Sequence, residues 1–485
     1  MLIGQFTFIK KISTFILFCI FFPSFMSAMP GDSLYYDIKI TLNGLKTPKI
    51  MLGYYVGDQT YLVDSTQVDT SSGAFRFKPN RPLAEGVYFI ASTEGVIFDM
   101  ILSRENDFSI ATKLVSPYDS AKIVNSQENT VFFDYMNTIQ KTQAEVSQIQ
   151  AMINMLRRAK ADRATLTEQQ VKIREKYENQ DKYAQTLIQQ NPTLLASKLF
   201  NIATTPSVPS DVLPVLDNKK PNPTYWYYFR KHFFDGVDFT DKRLLRSPHY
   251  TKRLEQFLGY MSTNADSVKK QLDFILEKTH TNPDFYRYTL QWLTAVFDNN
   301  LDKMYNADAY LIHLVENYHR NLDSGTDKYT LERLEYKVNA FKNVLIGSVA
   351  PNFALPNTEG VLKSLSDVNS DYTILLFYSS LCSHCRTAMP QIQKTLQYVD
   401  NNKLKVFTVC TDGQREPWLA FMDEMKMKDW INVLDSKQDS DIQKKYVTWN
   451  LPVIYLLDKN KTILANRIKP ESLPDLLRGL FENNK

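Results

Sequence analysis

The sequence predicts a multidomain protein: a β-sandwich, then an α-helical region, then an α/β domain. Three observations carry this. Short apolar runs divided by turn signals fill residues 33–113, apolar positions recur at helical spacing through residues 127–345, and strands alternate with helices from Ile346 to the C-terminus. A length of 485 residues fits about two to four domains. With 27 Tyr and 29 Phe there is material for more than one core. The formal net charge of +4 is small for this length, and no concentrated basic face argues for nucleic-acid binding.

Residues 1–28 read as a signal peptide. Lys10 and Lys11 precede an apolar run from Ile12 to Phe22, and the small residues Ser27 and Ala28 follow it. The alternative is an uncleaved anchor, for which the run is short. Cys19 follows Phe18 rather than a small residue, which argues against lipidation. Cys382, Cys385 and Cys410 then remain, too few for a fold built on disulfides.

Residues 29–115 are expected to form the small β-sandwich. Tyr36, Ile38, Ile40 and Leu42 alternate up to the turn Asn43-Gly44. Further runs follow at 50–56, 60–63, 74–77, 87–91 and 96–102. Residues 116–345 form the α-helical domain. A helix over Thr130–Ala159 and a second over Leu166–Gln190, with Thr165 at its start, make a hairpin that Asn191-Pro192 ends. Thr193–Ile202 opens the next helix, and prolines break the pattern between 204 and 223. His232, His249, His280, His313 and His319 form no tight ligand cluster, so no metal site is expected.

Residues 346–485 form the α/β domain. Ile374–Tyr378 is a continuous apolar strand of the kind buried on both faces. A helix begins near Cys382. Strands at 405–410, 432–434, 453–457 and 462–467 and helices at 416–425, 440–446 and 471–482 complete the series.

The chemistry lies in Phe377-Tyr378-Ser379-Ser380-Leu381-Cys382-Ser383-His384-Cys385, followed by Pro390. Two intervening residues let the sulfurs of Cys382 and Cys385 meet on the first turn of a helix. That helix terminus favours negative charge, and the thiolate is the species that attacks disulfides. Cys382 is the expected nucleophile and Cys385 the resolving thiol. Zinc shares this spacing but needs a further ligand pair, and Cys410 is the only other cysteine left after residue 28. Cys410, at the end of a strand, reads as a buried unpaired thiol or as a neighbour of the active-site edge.

These residues resemble the TlpA and ResA group of exported thioredoxin-like proteins. Gly347-Ser348-Val349-Ala350-Pro351-Asn352-Phe353-Ala354-Leu355 is similar to the opening those proteins share with peroxiredoxins. The resemblance covers under a third of the chain and implies a thioredoxin-like α/β domain acting as a thiol–disulfide oxidoreductase. It implies a cis-proline at Pro452, with the backbone of Leu451 free to pair with extended substrate. It also implies that His384, next to Ser383, tunes the couple as in the DsbA-type loop, although Ser383 stands where that loop has Pro. Three positions depart from the pattern: Leu381 replaces Trp, Leu376 a buried Asp, and Ala388 an acidic residue. The direction of electron flow stays open.

No cofactor is expected beyond the Cys382–Cys385 disulfide itself. Expected partners are protein thiols and disulfides, with a membrane electron donor or acceptor and no nucleic acid. The setting implied is the periplasm or cell envelope of a Gram-negative bacterium, where similar accessory domains precede such modules. Trp449, Leu451 and Tyr378 are candidates for apolar surface around the thiols or for core, with Leu451 favoured by its place before Pro452. A non-catalytic envelope scaffold is the alternative. A peroxiredoxin-like peroxidase at Cys382 is less favoured, because Ser379 stands at the Thr place of the peroxide motif and residues 373–382 contain no Pro.

Overall fold

The computed structural model describes residues 33–204, 206, 223–261, 264–301, 304–396, 403–436 and 441–482. The expected signal segment, with Cys19, lies outside the described residues, as does most of the proline-rich stretch between 204 and 223. The chain divides into two units, residues 1–261 and 262–485.

The first unit opens with strands β1 (Asp37–Asn43), β2 (Lys49–Val56), β3 (Gln59–Gln67), β4 (Ala74–Phe77), β5 (Gly86–Ser92), β6 (Gly95–Leu102), β7 (Asp107–Lys113) and β8 (Lys122–Val124). They form two four-stranded sheets, ordered β8-β7-β1-β4 and β3-β2-β5-β6. The alternation read in the sequence appears as alternating burial along β1, whereas β5 is buried at every position. Strands β7 and β8 close the first sheet and lie beyond the runs expected from the sequence; β7 pairs parallel to β1.

Helices α1 (Gln127–Arg158) and α2 (Arg163–Gln190) make the expected hairpin. The cap of α2 is Asp162, whose carboxylate accepts the backbone N–H of Thr165 at 2.8 Å, so Thr165 lies inside the helix rather than at its start. Asn129 ties α1 to β6 through both the N–H and the carbonyl of Ile101. Glu128 accepts the N–H groups of Leu195 and Ala196, which satisfies the first turn of α3 (Leu195–Ala203) from inside the unit. Helices α4 (Pro223–Lys231) and α5 (Pro248–Gly259) complete the unit.

The second unit joins four helices to the α/β domain. They are α6 (Ala265–Thr279), α7 (Pro283–Asn299), α8 (Ala307–Leu314) and α9 (Lys328–Lys342). The helical region that reads as one domain in the sequence is thus divided between the units. Its last helices belong with the α/β domain for a physical reason. Asp308 on α8 is 1% exposed and accepts Arg467 Nη2 at 2.7 Å and Asn466 Nδ2 at 2.9 Å. The Arg467 guanidinium also lies over the ring of Phe341 on α9.

In the α/β domain a hairpin of β9 (Ala354–Pro356) and β10 (Leu362–Ser364) precedes a central sheet. The sheet contains β11 (Tyr372–Tyr378), β12 (Leu404–Cys410), β13 (Ile431–Leu434), β14 (Val453–Asp458) and β15 (Ile463–Ala465), in the order β13-β12-β11-β14-β15. Strands β11, β12 and β13 are parallel; β14 and β15 run antiparallel to their neighbours. Helices α10 (Ser383–Leu396), α11 (Arg415–Glu424), α12 (Ile442–Tyr446) and α13 (Leu473–Glu482) accompany it. The run Ile374–Tyr378 is wholly buried, as its unbroken apolar character requires. Among the described residues no helix is long and apolar enough to cross a membrane.

Candidate active site

Strand β11 ends at Tyr378 and helix α10 begins at Ser383, so residues 379–382 form the link that carries the first cysteine. Cys382 occupies the cap position of α10. Its sulfur accepts the backbone N–H of Cys385 at 3.3 Å, and its carbonyl accepts the N–H of Arg386 at 3.1 Å. A first-turn N–H with no helical partner thereby points at sulfur, which favours negative charge there.

The two sulfurs live in different surroundings. Cys382 is partly exposed, whereas Cys385 is fully buried. Cys385 packs in a cluster with Leu376, Ala388, Met389 and Trp418. Burial, then the hydrogen bond with Cys382, push the Cys385 thiol far above the ordinary thiol range. Leu376 and Ala388 are both buried, so this wall of the site is apolar.

The other wall is the loop before β14. The Leu451–Pro452 bond is cis, and the Leu451 carbonyl lies 3.8 Å from the Cys382 sulfur, which donates to it. Leu451 and Pro452 are half-buried. Ser383 and His384 are exposed on the first turn of α10. The structure therefore brings Cys382, Cys385, Leu451 and Pro452 together and leaves His384 facing solvent.

Tyr378 is core: its hydroxyl accepts Trp418 Nε1 at 3.1 Å and its ring stacks on Phe421. Trp449 is 39% exposed and stacks on Tyr336 of α9, with ring centroids 5.9 Å apart and planes 19° apart. Leu381, beside Cys382, is 66% exposed. Leu381 and Leu451 are the apolar side chains beside the thiols, whereas Trp449, two residues before Leu451, packs on a residue outside the α/β domain, Tyr336. No local pattern in α9 marks Tyr336 for this.

Sequence reasoning also missed Asp412, just past β12. Its carboxylate accepts Ser379 Oγ at 3.1 Å, and Ser380 N and Oγ both at 2.6 Å. It also accepts the Cys410 thiol at 3.0 Å. Burial pushes this carboxyl up, but the hydrogen bonds from Ser380 and Cys410 outweigh it and hold it below the usual carboxylate range. Cys410 is fully buried, and burial pushes its thiol up. Among the described residues no group of three or more His, Cys, Asp and Glu side chains could hold a metal ion.

The family model described as AhpC/TSA family matches residues 346–466. The thioredoxin-like protein YneN of Bacillus subtilis is 30% identical over 120 residues, which is 24% of this chain and 68% of that protein. The thiol-disulfide oxidoreductase ResA of Geobacillus thermodenitrificans is 23% identical over 140 residues, 28% of this chain and 79% of that protein. Among solved structures, a thioredoxin-like protein from Bacteroides caccae is 20% identical, with a TM-score of 0.47, covering 56% of this chain and 97% of that one.

Proposed function

The chain belongs to the AhpC/TSA thioredoxin-like family as a thiol–disulfide oxidoreductase, and from that premise we propose that Cys382 and Cys385 are its redox couple, acting on protein thiols and disulfides in the cell envelope. The observation that carries the reading is the asymmetry of the pair: a half-exposed sulfur at a helix terminus, backed by a buried, protonated thiol. The Cys382 thiolate attacks a substrate disulfide, and the displaced substrate sulfur leaves as a thiolate and takes up a proton. Cys385 then loses its proton and attacks Cys382. The second substrate thiol is released, and two electrons have passed to the substrate. A dithiol donor resets the enzyme; run backwards, the same steps oxidise a substrate dithiol.

The couple is itself the redox group, with no other cofactor. Leu451 offers its backbone to an extended substrate beside Pro452, and His384 with Ser383 sets the potential through the exposed turn. A membrane electron carrier is the donor or acceptor. Support for the envelope setting is the N-terminal pattern of Lys10, Lys11 and the apolar run after them. In the same reading residues 29–115 are a small β-sandwich, consistent with the alternating burial of β1 and the complete burial of β5. The test is exchange with a disulfide-bonded protein, followed as released substrate thiol. Wild-type protein turns over, Cys382→Ser does not, and equal turnover by both excludes the assignment.

A further inference from the structure

We propose that Asp412 is a positioning residue for the Cys382–Cys385 couple, acting by clamping the link that carries Cys382. The inference rests on that couple being the site of reaction. The link between β11 and α10 has no regular secondary structure, yet it must present one sulfur in a fixed place. Asp412 supplies what the backbone lacks. One of its oxygens collects the backbone N–H of Ser380 and the hydroxyls of Ser379 and Ser380. The other takes the Cys410 thiol, which anchors the carboxylate to the end of β12.

The clamp continues toward the nucleophile. Ser379 Oγ accepts the N–H of Leu381 at 3.1 Å, and the Ser379 carbonyl accepts the N–H of Cys382 at 3.3 Å. Every residue from Ser379 to Cys382 is therefore held by Asp412 directly or through Ser379. Hydrogen bonds to an ionised acceptor are stronger than neutral ones, and this carboxyl is held below the usual carboxylate range. Within the same network the buried Cys410 thiol serves as a hydrogen-bond donor.

A displaced link moves the Cys382 sulfur away from the Cys385 N–H and the Leu451 carbonyl. The cost falls on the chemical step, since a shift of about 1 Å in a reacting group can cost on the order of 10²-fold. The surface that receives substrate is left in place.

The experiment uses the full chain and a disulfide-bonded protein as probe. It compares Asp412→Ala and Asp412→Asn with wild type for kcat, KM and the reduction potential of the couple. Asp412→Ala is expected to lose about tenfold or more in kcat with KM unchanged and to shift the potential. Asp412→Asn keeps an acceptor for the Ser380 N–H and recovers most of the rate. If Asp412→Ala does not fold, Ser380→Ala removes one donor and gives a smaller loss in kcat alone. A folded Asp412→Ala with wild-type kcat and potential overturns the proposal. So does a rise in KM alone, or an Asn variant as slow as the Ala variant. Wild-type protein without turnover removes the couple itself; turnover in wild type with no effect of these variants removes only Asp412.

Discussion

The sulfur of Cys382 accepts the backbone N–H of Cys385 at 3.3 Å, while the Cys385 side chain lies fully buried behind it. One short turn of helix thus makes two chemically different thiols from positions three apart in one motif. Reactivity toward small electrophiles should follow this difference. Iodoacetamide added to the reduced protein is expected to label Cys382 and spare Cys385 and Cys410, read site by site by mass spectrometry. Burial holds the latter two thiols up, so they stay protected through about pH 8.5, where an unperturbed thiol half-ionises. Labelling of Cys385 at the same rate as Cys382 would contradict the asymmetry.

Removing the resolving thiol should stop the cycle halfway. Cys385→Ser is expected to accumulate a mixed disulfide between Cys382 and a substrate protein, seen as a band on a non-reducing gel that a reductant dissolves. Cys382→Ser should form no such band.

The stack of Trp449 on Tyr336 carries helix α9 to within a few residues of the cis-proline loop. Tyr336→Ala is expected to raise KM for a disulfide-bonded protein by a few-fold and to leave the rate toward glutathione disulfide unchanged. A small disulfide makes fewer contacts beyond the thiols than an extended protein segment does. Equal effects on both substrates would place Tyr336 outside recognition.

Asp308 and Arg467 form a buried ion pair, with side chains 1% and 11% exposed. Breaking such a pair from one side leaves a charge without compensation. Arg467→Met should therefore destabilise the unit of residues 262–485 by about 3–5 kcal/mol, read from urea unfolding. A change below about 1 kcal/mol, the size typical of exposed pairs, would mean that water reaches Asp308.

His319 supplies a pH dependence with a definite sign. Burial holds its imidazole at about 4, between the hydroxyls of Thr294 and Thr326. Above the ordinary histidine value of about 6.5 it is neutral folded and unfolded, and its contribution to stability is complete. As pH falls toward about 4, the unfolded chain takes a proton that the folded one refuses, and stability drops by roughly 3 kcal/mol. Urea unfolding across this window should show a loss smaller by about that amount in His319→Gln than in wild type. A wild-type curve that stays flat over the same window contradicts it.

What the sequence made legible was whatever local pattern controls. The unbroken apolar run at Ile374–Tyr378 places the central strand, and alternation places most strands of the first sheets. The spacing of Cys382 and Cys385 places the proposed redox pair at a helix start, and its resemblance to known modules points to the cis bond at Pro452, which the structure contains. What escaped is set by distance along the chain. Asp412 lies more than 30 residues from the serines it clamps. Tyr336 is an ordinary exposed helical residue until Trp449 folds onto it. The division of the helical region at 261 was hidden for the same reason, because the Asp308–Arg467 pair spans 159 residues.

The most direct test is a redox titration of the protein in glutathione buffers, following the state of Cys382 and Cys385 by alkylation and mass spectrometry. The expected result is a reversible two-electron transition in wild type that disappears in both Cys382→Ser and Cys385→Ser. A wild-type protein in which the two thiols never pair reversibly, while substrate turnover persists, would contradict the assignment of Cys382 and Cys385 as the redox couple.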